Sequence, residues 1–209
     1  MSETKVANPA PLGLLGFGVT TFILSLVNAH VLKPGNETLV IGLAVFYGGI
    51  AQFAAGMWEF RAGNTFGAVA FTSYGAFWLS FAAILIPGFG THLDAGTANR
   101  AVGFYLMSWA IVTGILTLGA LRLNGALSTV FVLLFITYIL LMLGAFTTKA
   151  TAVNPNGWTK LGGWVGVLTA IAAWYTAMAG ILESVSGGAV MLPTFRPVLR
   201  VPERVGATR

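Results

Sequence analysis

The chain has 209 residues, of which 56% are hydrophobic and only 8% are charged, and its formal net charge is +5. Ordinary soluble domains carry about a quarter charged residues, so this composition excludes a soluble fold. The chain contains no cysteine, which excludes disulfides, thiolate metal sites and cysteine nucleophiles.

Six apolar runs are long enough to cross a membrane as helices, because the hydrocarbon core needs roughly 20 residues. They are residues 12–32, 39–58, 65–86, 100–121, 125–147 and 161–184. Strands of a β-barrel would be about half as long and would alternate in polarity, which these runs do not. The sequence therefore predicts an all-α membrane protein, a bundle of six transmembrane helices in residues 1–193, followed by a basic cytoplasmic tail in residues 194–209.

The basic residues indicate which side of the membrane holds the termini. Six spans place both termini on one side, together with Lys5, Arg61, Arg122, Arg196, Arg200, Arg204 and Arg209. The opposite side receives Lys33, Arg100, Lys149 and Lys160. The positive-inside rule predicts that both termini are cytoplasmic and that the protein spans the plasma membrane several times. Topology and contact with anionic lipid explain the tail's charge, and nothing beyond that charge favours nucleic-acid binding.

The first span begins with NPAPLGLLGFGVTT, residues 8–21, in which prolines and glycines are concentrated. Proline is tolerated in the first helical turn, where backbone donors have no partner within the helix. Those donors and the helix dipole attract anions, so we expect Asn8, Pro9, Pro11 and Gly13 to face a small carboxylate. The alternative is that the prolines only mark the start of a helix.

Polar residues recur on one face of each of the first two spans. In the first span this face is formed by Gly13, Phe17, Thr21, Ser25 and Asn28, which predicts a water-accessible lumen, although close helix packing is the alternative. In the second span it is formed by Gly48, Gln52, Gly56 and Glu59. An unpaired amide is costly in hydrocarbon, so Gln52 is expected to face another helix or a solute path.

The groups that could carry out chemistry are few. The two histidines, His30 and His92, have no metal-site spacing, and the spans contain no nucleophile with a base and an orienting acid. The sequence therefore predicts neither an enzyme nor a bound metal or cofactor.

Several blocks of sequence resemble the succinate–acetate/proton symporter family, also called the acetate uptake transporter family. The blocks are NPAPLGLLGF at 8–17, FYGGIAQFAAG at 46–56, GNTFGAVAFTSYGAFW at 63–78, GWVG at 163–166 and WYTAM at 174–178. The resemblance implies a six-helix protomer with its own solute path, a homo-hexameric assembly, and transport of acetate and sometimes succinate with protons. It also implies a hydrophobic constriction formed by Phe17, Tyr74 and Leu134. Ala173 in the last span is predicted to lie near the path.

Two mechanisms of proton coupling remain open at this stage. Acetate could cross the constriction as acetic acid, because a bare carboxylate would lose several kcal/mol or more of solvation there. The proton could instead use a protein site at Glu59, Glu183 or His30. Two other functions also remain: a passive channel for small neutral solutes such as urea or ammonia, and a membrane scaffold without transport.

Overall fold

A computed structural model of the chain describes residues 6–33, 35–86, 88–89, 93–94, 96–148 and 156–199. Its regular structure in order is α1 Ala10–Asn28, α2 Glu37–Val45, a π-helix Phe46–Ala51, α3 Gln52–Arg61, α4 Thr65–Leu85, α5 Ala98–Ala120, α6 Gly125–Thr147 and α7 Gly157–Val185. His92, Lys5, Lys149, Arg200, Arg204 and Arg209 lie outside the described residues.

The predicted six spans are confirmed, since six helical segments are long and apolar enough to cross a membrane. The second of them, Thr38–Arg61, joins α2, the π-helix and α3 into one span. Span boundaries differ from the prediction where local backbone chemistry overrides hydropathy. The first helix ends at Asn28, four residues early, and His30 just beyond it adopts a left-handed φ of 63°.

Asparagine side chains fix the starts of three spans. Asn64, Asn124 and Asn156 precede α4, α6 and α7, and each Oδ1 accepts a hydrogen bond from the backbone N–H three residues ahead. Each such cap stabilises its helix by about 1 kcal/mol. The cap at Asn156 starts α7 at Gly157, four residues before the predicted apolar run, because a capped first turn can hold the polar Thr159 and Lys160.

The six spans form a ring. Starting at α5, each span packs against the next in the order α6, α7, α1, the second span and α4. The ring closes between α4 and α5 mainly through side chains, including a hydrogen bond from Tyr105 OH to Phe77 O of 3.2 Å. The interior of this ring holds the buried residues of the predicted polar faces and leaves room for the cavities described below.

Backbone contact fixes α1 between its two neighbours. A Cβ added at Gly16 would lie 2.6 Å from the carbonyl oxygen of Tyr47 in the π-helix. On the other side of α1, a Cβ at Gly163 would lie 2.8 Å from Ala29 Cα. Glycine is required at both positions because the chains approach too closely for any side chain, as is common where helices pack in membranes.

The chain continues beyond α7 and folds back on the bundle. It reverses at Gly187 and Gly188, which have φ values of 69° and 94°. Residues 193–199, which we call the C-terminal strap, then lie against α7 and the turn between α5 and α6. The Tyr175 hydroxyl donates to Pro193 O at 2.8 Å, and Ala126 N donates to Thr194 O at 2.9 Å.

Candidate functional site

Three cavities follow one another through the interior of the ring. A vestibule of about 370 Å³ opens at the end of the bundle that holds Asn8, Glu183 and Thr194. A middle cavity of about 20 Å³ shares Leu14, Ala70, Phe71 and Phe131 with the vestibule. A far cavity of about 30 Å³ shares Phe17 and Leu134 with the middle one. Shared walls make the three cavities a single route along the bundle axis.

The vestibule collects the N-terminal ends of α1, α4 and α6. The residues Asn8, Asn64 and Asn124 line it, and in each the side-chain Oδ1 accepts a backbone N–H near the helix start. The positive ends of three helix dipoles therefore point toward one space, which favours an anion there. Asn8 and Thr194, which are near the two ends of the described chain, both line this vestibule.

The start of α1 offers fewer free backbone donors than the sequence predicts. The Ala10 N–H donates to Asn8 Oδ1 at 3.0 Å, and the Gly13 N–H donates to Pro9 O at 3.3 Å. Pro11 has no N–H to offer. Attraction of an anion to this helix end therefore depends on its dipole more than on a row of free N–H groups.

Phe17, Tyr74 and Leu134 meet between the middle and far cavities. The rings of Phe17 and Tyr74 have centroids 5.8 Å apart, and all three side chains are at most 4% exposed. Phe131 adds a further ring, 6.1 Å from Tyr74. About 10–15 Å³ of such cavity volume holds one water molecule, so the middle and far cavities have room for about one or two waters but not for acetate, and the route is closed at this neck.

Gln52 lines the middle cavity beside the neck and is completely buried. Neither its Nε2 nor its Oε1 has a hydrogen-bond partner among the described residues. A buried polar group left without a partner costs about 1–3 kcal/mol. The middle cavity is therefore a place where a water molecule or a solute can supply the missing hydrogen bonds.

The polar face of α1 continues the route beyond the neck. Thr21, Ser25 and Asn28 line the far cavity. Thr21 Oγ1 is buried, and no described residue hydrogen-bonds to it. These three residues of the predicted polar face therefore line one small cavity.

Some predicted site residues lie elsewhere. Gly13 and Ala173 line none of the three cavities that the described residues form: Gly13 packs against the ring of Phe71, and Ala173 is fully buried in the core. Pro9 lines a separate outer groove with Trp58, whereas Pro11 lines the vestibule.

The sequence interpretation missed several residues of the route. Phe71 and Phe131 line both the vestibule and the middle cavity. Asn64 and Asn124 could have been found, since each precedes a predicted span as a helix cap does. Thr113, which hydrogen-bonds the Tyr74 hydroxyl, carried no such signal.

The described residues hold no cluster of three or more His, Asp or Glu side chains that could bind a metal ion. Glu59 is 1% exposed and lines none of the three cavities built from described residues. It lies behind the vestibule wall, where a Cβ at Gly67 would be 2.8 Å from its carboxyl carbon. Glu183 lines the vestibule, whereas the middle and far cavities are lined by aromatic, aliphatic, hydroxyl and amide groups.

Known proteins share this architecture. The model of the GPR1/FUN34/yaaH family matches residues 1–195. The chain belongs to that family. A structure described as that of the bacterial acetate channel SatP matches with a TM-score of 0.80 and 37% identity, covering 91% of this chain and 99% of that one. The family fold thus extends over all six spans.

Members of the family are named for the transport of different solutes. The chain is 40% identical to the succinate-acetate/proton symporter SatP of Escherichia coli over 91% of its own length and 97% of that protein's. It is 45% identical to ammonia transport outward protein 2 of Saccharomyces cerevisiae, covering 85% of this chain. The chain spans only 62% of the length of that yeast relative.

Proposed function

We propose that the protein moves small carboxylates, acetate and also succinate, across a membrane together with protons. The observation that carries this proposal is the route of three cavities, which is closed between the middle and far cavities by an aromatic neck beside the unpaired amide of Gln52. A route with unsatisfied hydrogen-bonding groups on both sides of an apolar neck suits a solute with a polar end and an apolar end. Acetic acid and acetate have this form.

The physical steps follow from the lining of the route. The three helix N-termini around the vestibule attract the carboxylate. At the neck of Phe17, Tyr74 and Leu134, an ionised carboxylate would lose several kcal/mol or more of solvation. The solute therefore crosses as the neutral acid, and Gln52 offers both a donor and an acceptor to the protonated carboxyl group. The proton travels on the solute, which couples its movement to the proton gradient.

The arrangement in the membrane is part of the same proposal. Residues 1–193 form the transport unit together with Thr194, which lines the vestibule, and the protein assembles as a homo-hexamer with one route per protomer in the plasma membrane. The vestibule faces the cytoplasm, because the termini lie there and the positive-inside rule assigns the more basic side to that compartment. The names of the bacterial relatives support transport of acetate, and the apolar outer surface supports contact with lipid.

Gradient-driven acetate flux in proteoliposomes tests the proposal. Labelled acetate uptake is measured with an inward proton gradient that is then collapsed at constant acetate concentration. We expect protein-dependent accumulation that disappears with the gradient. Protein-free liposomes are the control, since acetic acid also crosses lipid unaided.

Gln52→Leu tests the role of Gln52 in the same flux measurement. Leucine is similar in size to glutamine. The substitution removes both polar amide atoms, and neither of them hydrogen-bonds to a described residue. The variant should therefore unfold at the same temperature as the wild type or a higher one, while acetate flux falls. Wild-type flux in a folded Gln52→Leu protein would contradict the role of Gln52. Absence of acetate flux in the wild type would contradict the proposed function.

Passage of a small neutral solute is the second candidate. The middle and far cavities are lined by uncharged side chains, and one relative is named for ammonia transport. Protein-dependent flux of ammonia or urea, unaffected by the proton gradient and without any flux of acetate, would favour this function over carboxylate transport.

A further inference from the structure

The C-terminal strap, residues 193–199, was predicted from its composition to belong almost entirely to a basic tail outside the bundle. In the structure one residue of the strap, Thr194, is half-buried and lines the vestibule together with Asn124 and Thr176.

Hydrogen bonds hold the strap at the turn between α5 and α6. Ala126 N donates to Thr194 O at 2.9 Å, and Leu199 N donates to Leu121 O at 2.8 Å. Backbone donors in the first turn of a helix and acceptors in the last turn have no partners within the helix. The strap thus supplies partners both to the start of α6 and to the end of α5, which is a structural role that a loose tail does not have.

A second set of contacts joins the strap to α7. The Tyr175 hydroxyl donates to Pro193 O at 2.8 Å, and the Tyr175 ring stacks on that of Phe195 with centroids 6.4 Å apart. Tyr175 lies ten residues, or about 15 Å, before the end of α7 at Val185. The strap therefore returns along more than two turns of α7 to reach the level of the α5–α6 turn.

The strap has an unusual backbone conformation at Phe195. Phe195 has a φ of 61°, a left-handed backbone that costs a bulky side chain on the order of 1–3 kcal/mol and persists only where the surroundings enforce it. Gly125 is part of those surroundings, because a Cβ there would lie 2.9 Å from Phe195 Cβ. Any residue larger than glycine at 125 must displace the strap or the start of α6.

We propose that the C-terminal strap is a wall of the vestibule that restricts the size of solute admitted from the side of the termini. Displacing it widens the vestibule and relaxes discrimination against a longer dicarboxylate relative to acetate. This inference rests on the proposed function for its solute, but the position of the wall can be tested without any transport measurement.

Thiol labelling measures whether the strap covers the vestibule. The chain has no cysteine, so Thr176→Cys introduces a single reporter into the vestibule lining. The rate of reaction with a membrane-impermeant methanethiosulfonate reagent is measured in detergent-solubilised protein, alone and with Gly125→Ala. We expect labelling to become severalfold faster when Gly125→Ala displaces the strap.

Gly157→Ala is the matched control. Gly125 and Gly157 both begin a helix after a capping asparagine, but a Cβ at Gly157 meets no atom of the described residues within 4 Å. The control should leave the labelling rate unchanged. Gly125→Val combined with Tyr175→Phe gives a stronger displacement, and thermal unfolding in detergent verifies that each variant is folded.

Three results would overturn the inference or part of it. Unchanged labelling in both folded strap variants means that the strap is not a wall of the vestibule. Faster labelling with an unchanged succinate-to-acetate flux ratio means that size selection occurs elsewhere. Equal acceleration by Gly157→Ala means that the effect is not specific to the strap. If the wild type carries no carboxylate, the proposed function fails, and labelling alone decides the position of the wall.

Discussion

The side-chain oxygens of Tyr74 on α4 and Thr113 on α5 lie 3.0 Å apart, and both residues are buried. This hydrogen bond directs the Tyr74 hydroxyl toward α5, and the ring lies against Phe17 at the neck. Thr113→Val keeps the shape of the side chain and removes the oxygen. We expect it to destabilise the protein by about 1–3 kcal/mol, because the Tyr74 hydroxyl loses its partner.

Thermal unfolding in a double-mutant cycle checks this prediction. If the hydrogen bond is the cause, adding Thr113→Val to Tyr74→Phe should cost less stability than adding it to the wild type. Thr113→Ser is the control and should retain most of the stability. Additive effects of the two substitutions would show that the two hydroxyls do not interact.

The neck should restrict the size of the solute that passes, in series with the strap at the vestibule. Leu134→Ala removes a side chain that lines both the middle and the far cavity. We expect the flux of a larger carboxylate to rise relative to that of acetate, with a loss of about 2–5 kcal/mol in stability from the enlarged cavity. Ile136→Ala is the control on the same helix, since Ile136 is 40% exposed on the outer surface. An unchanged flux ratio in Leu134→Ala would place the selective point away from the neck.

Gly13 should contribute to packing and not to solute contact. A Cβ at Gly13 would lie 2.6 Å from the Phe71 ring, so Gly13→Ala should destabilise the protein by about 1–3 kcal/mol through overpacking. Gly42→Ala in α2 is the control, because Gly42 has no described neighbour within 4 Å of its Cβ position. Alanine should there be neutral or stabilising by up to about 1 kcal/mol. Similar unfolding temperatures for the two variants would contradict this assignment.

Substitution of Glu59 tests whether a side chain of the protein carries the proton. It lies behind the vestibule wall and outside the three cavities that the described residues form, so a proton moving on the solute does not need it. Glu59→Gln should therefore keep gradient-dependent acetate accumulation at the wild-type level. Glu183→Gln at the vestibule is the parallel variant, measured in the same proteoliposomes. Loss of accumulation in a folded Glu59→Gln protein would indicate a protein proton site.

The sequence predicts the helical architecture well, because long apolar runs separated by short polar turns have few other solutions in a membrane. It also places Phe17, Thr21 and Gln52 on inward faces, since helical periodicity fixes which residues share a face. The neck could not have been derived from periodicity alone. Its three residues come from three separate helices, and their meeting depends on how those helices pack, so the resemblance to a family was needed to name them.

The remaining differences between the sequence predictions and the structure have local physical causes. Ala173 is small and inward, which is equally typical of a core residue and of a residue on a solute path, and packing alone distinguishes the two. The strap was assigned to a tail because it follows the last apolar run and its Arg196 is the first of four arginines near the end of the chain. Its position depends on backbone hydrogen bonds to Gly125, Ala126 and Leu121, which hydropathy does not represent.

The π-helix at Phe46–Ala51 has a consequence for how related sequences should be aligned. π-Helical turns occur mostly as single-turn bulges inside α-helices. Removing one residue from this segment restores regular α-helical turns and keeps the residues after it on their faces. Removing one residue elsewhere in the span turns everything after it by about 100°, and a loss outside the π-helix but ahead of Gln52 or Glu59 would take those side chains out of the interior. A one-residue gap in a relative's second span therefore belongs within 46–51, and its position determines whether that relative retains an amide beside the neck.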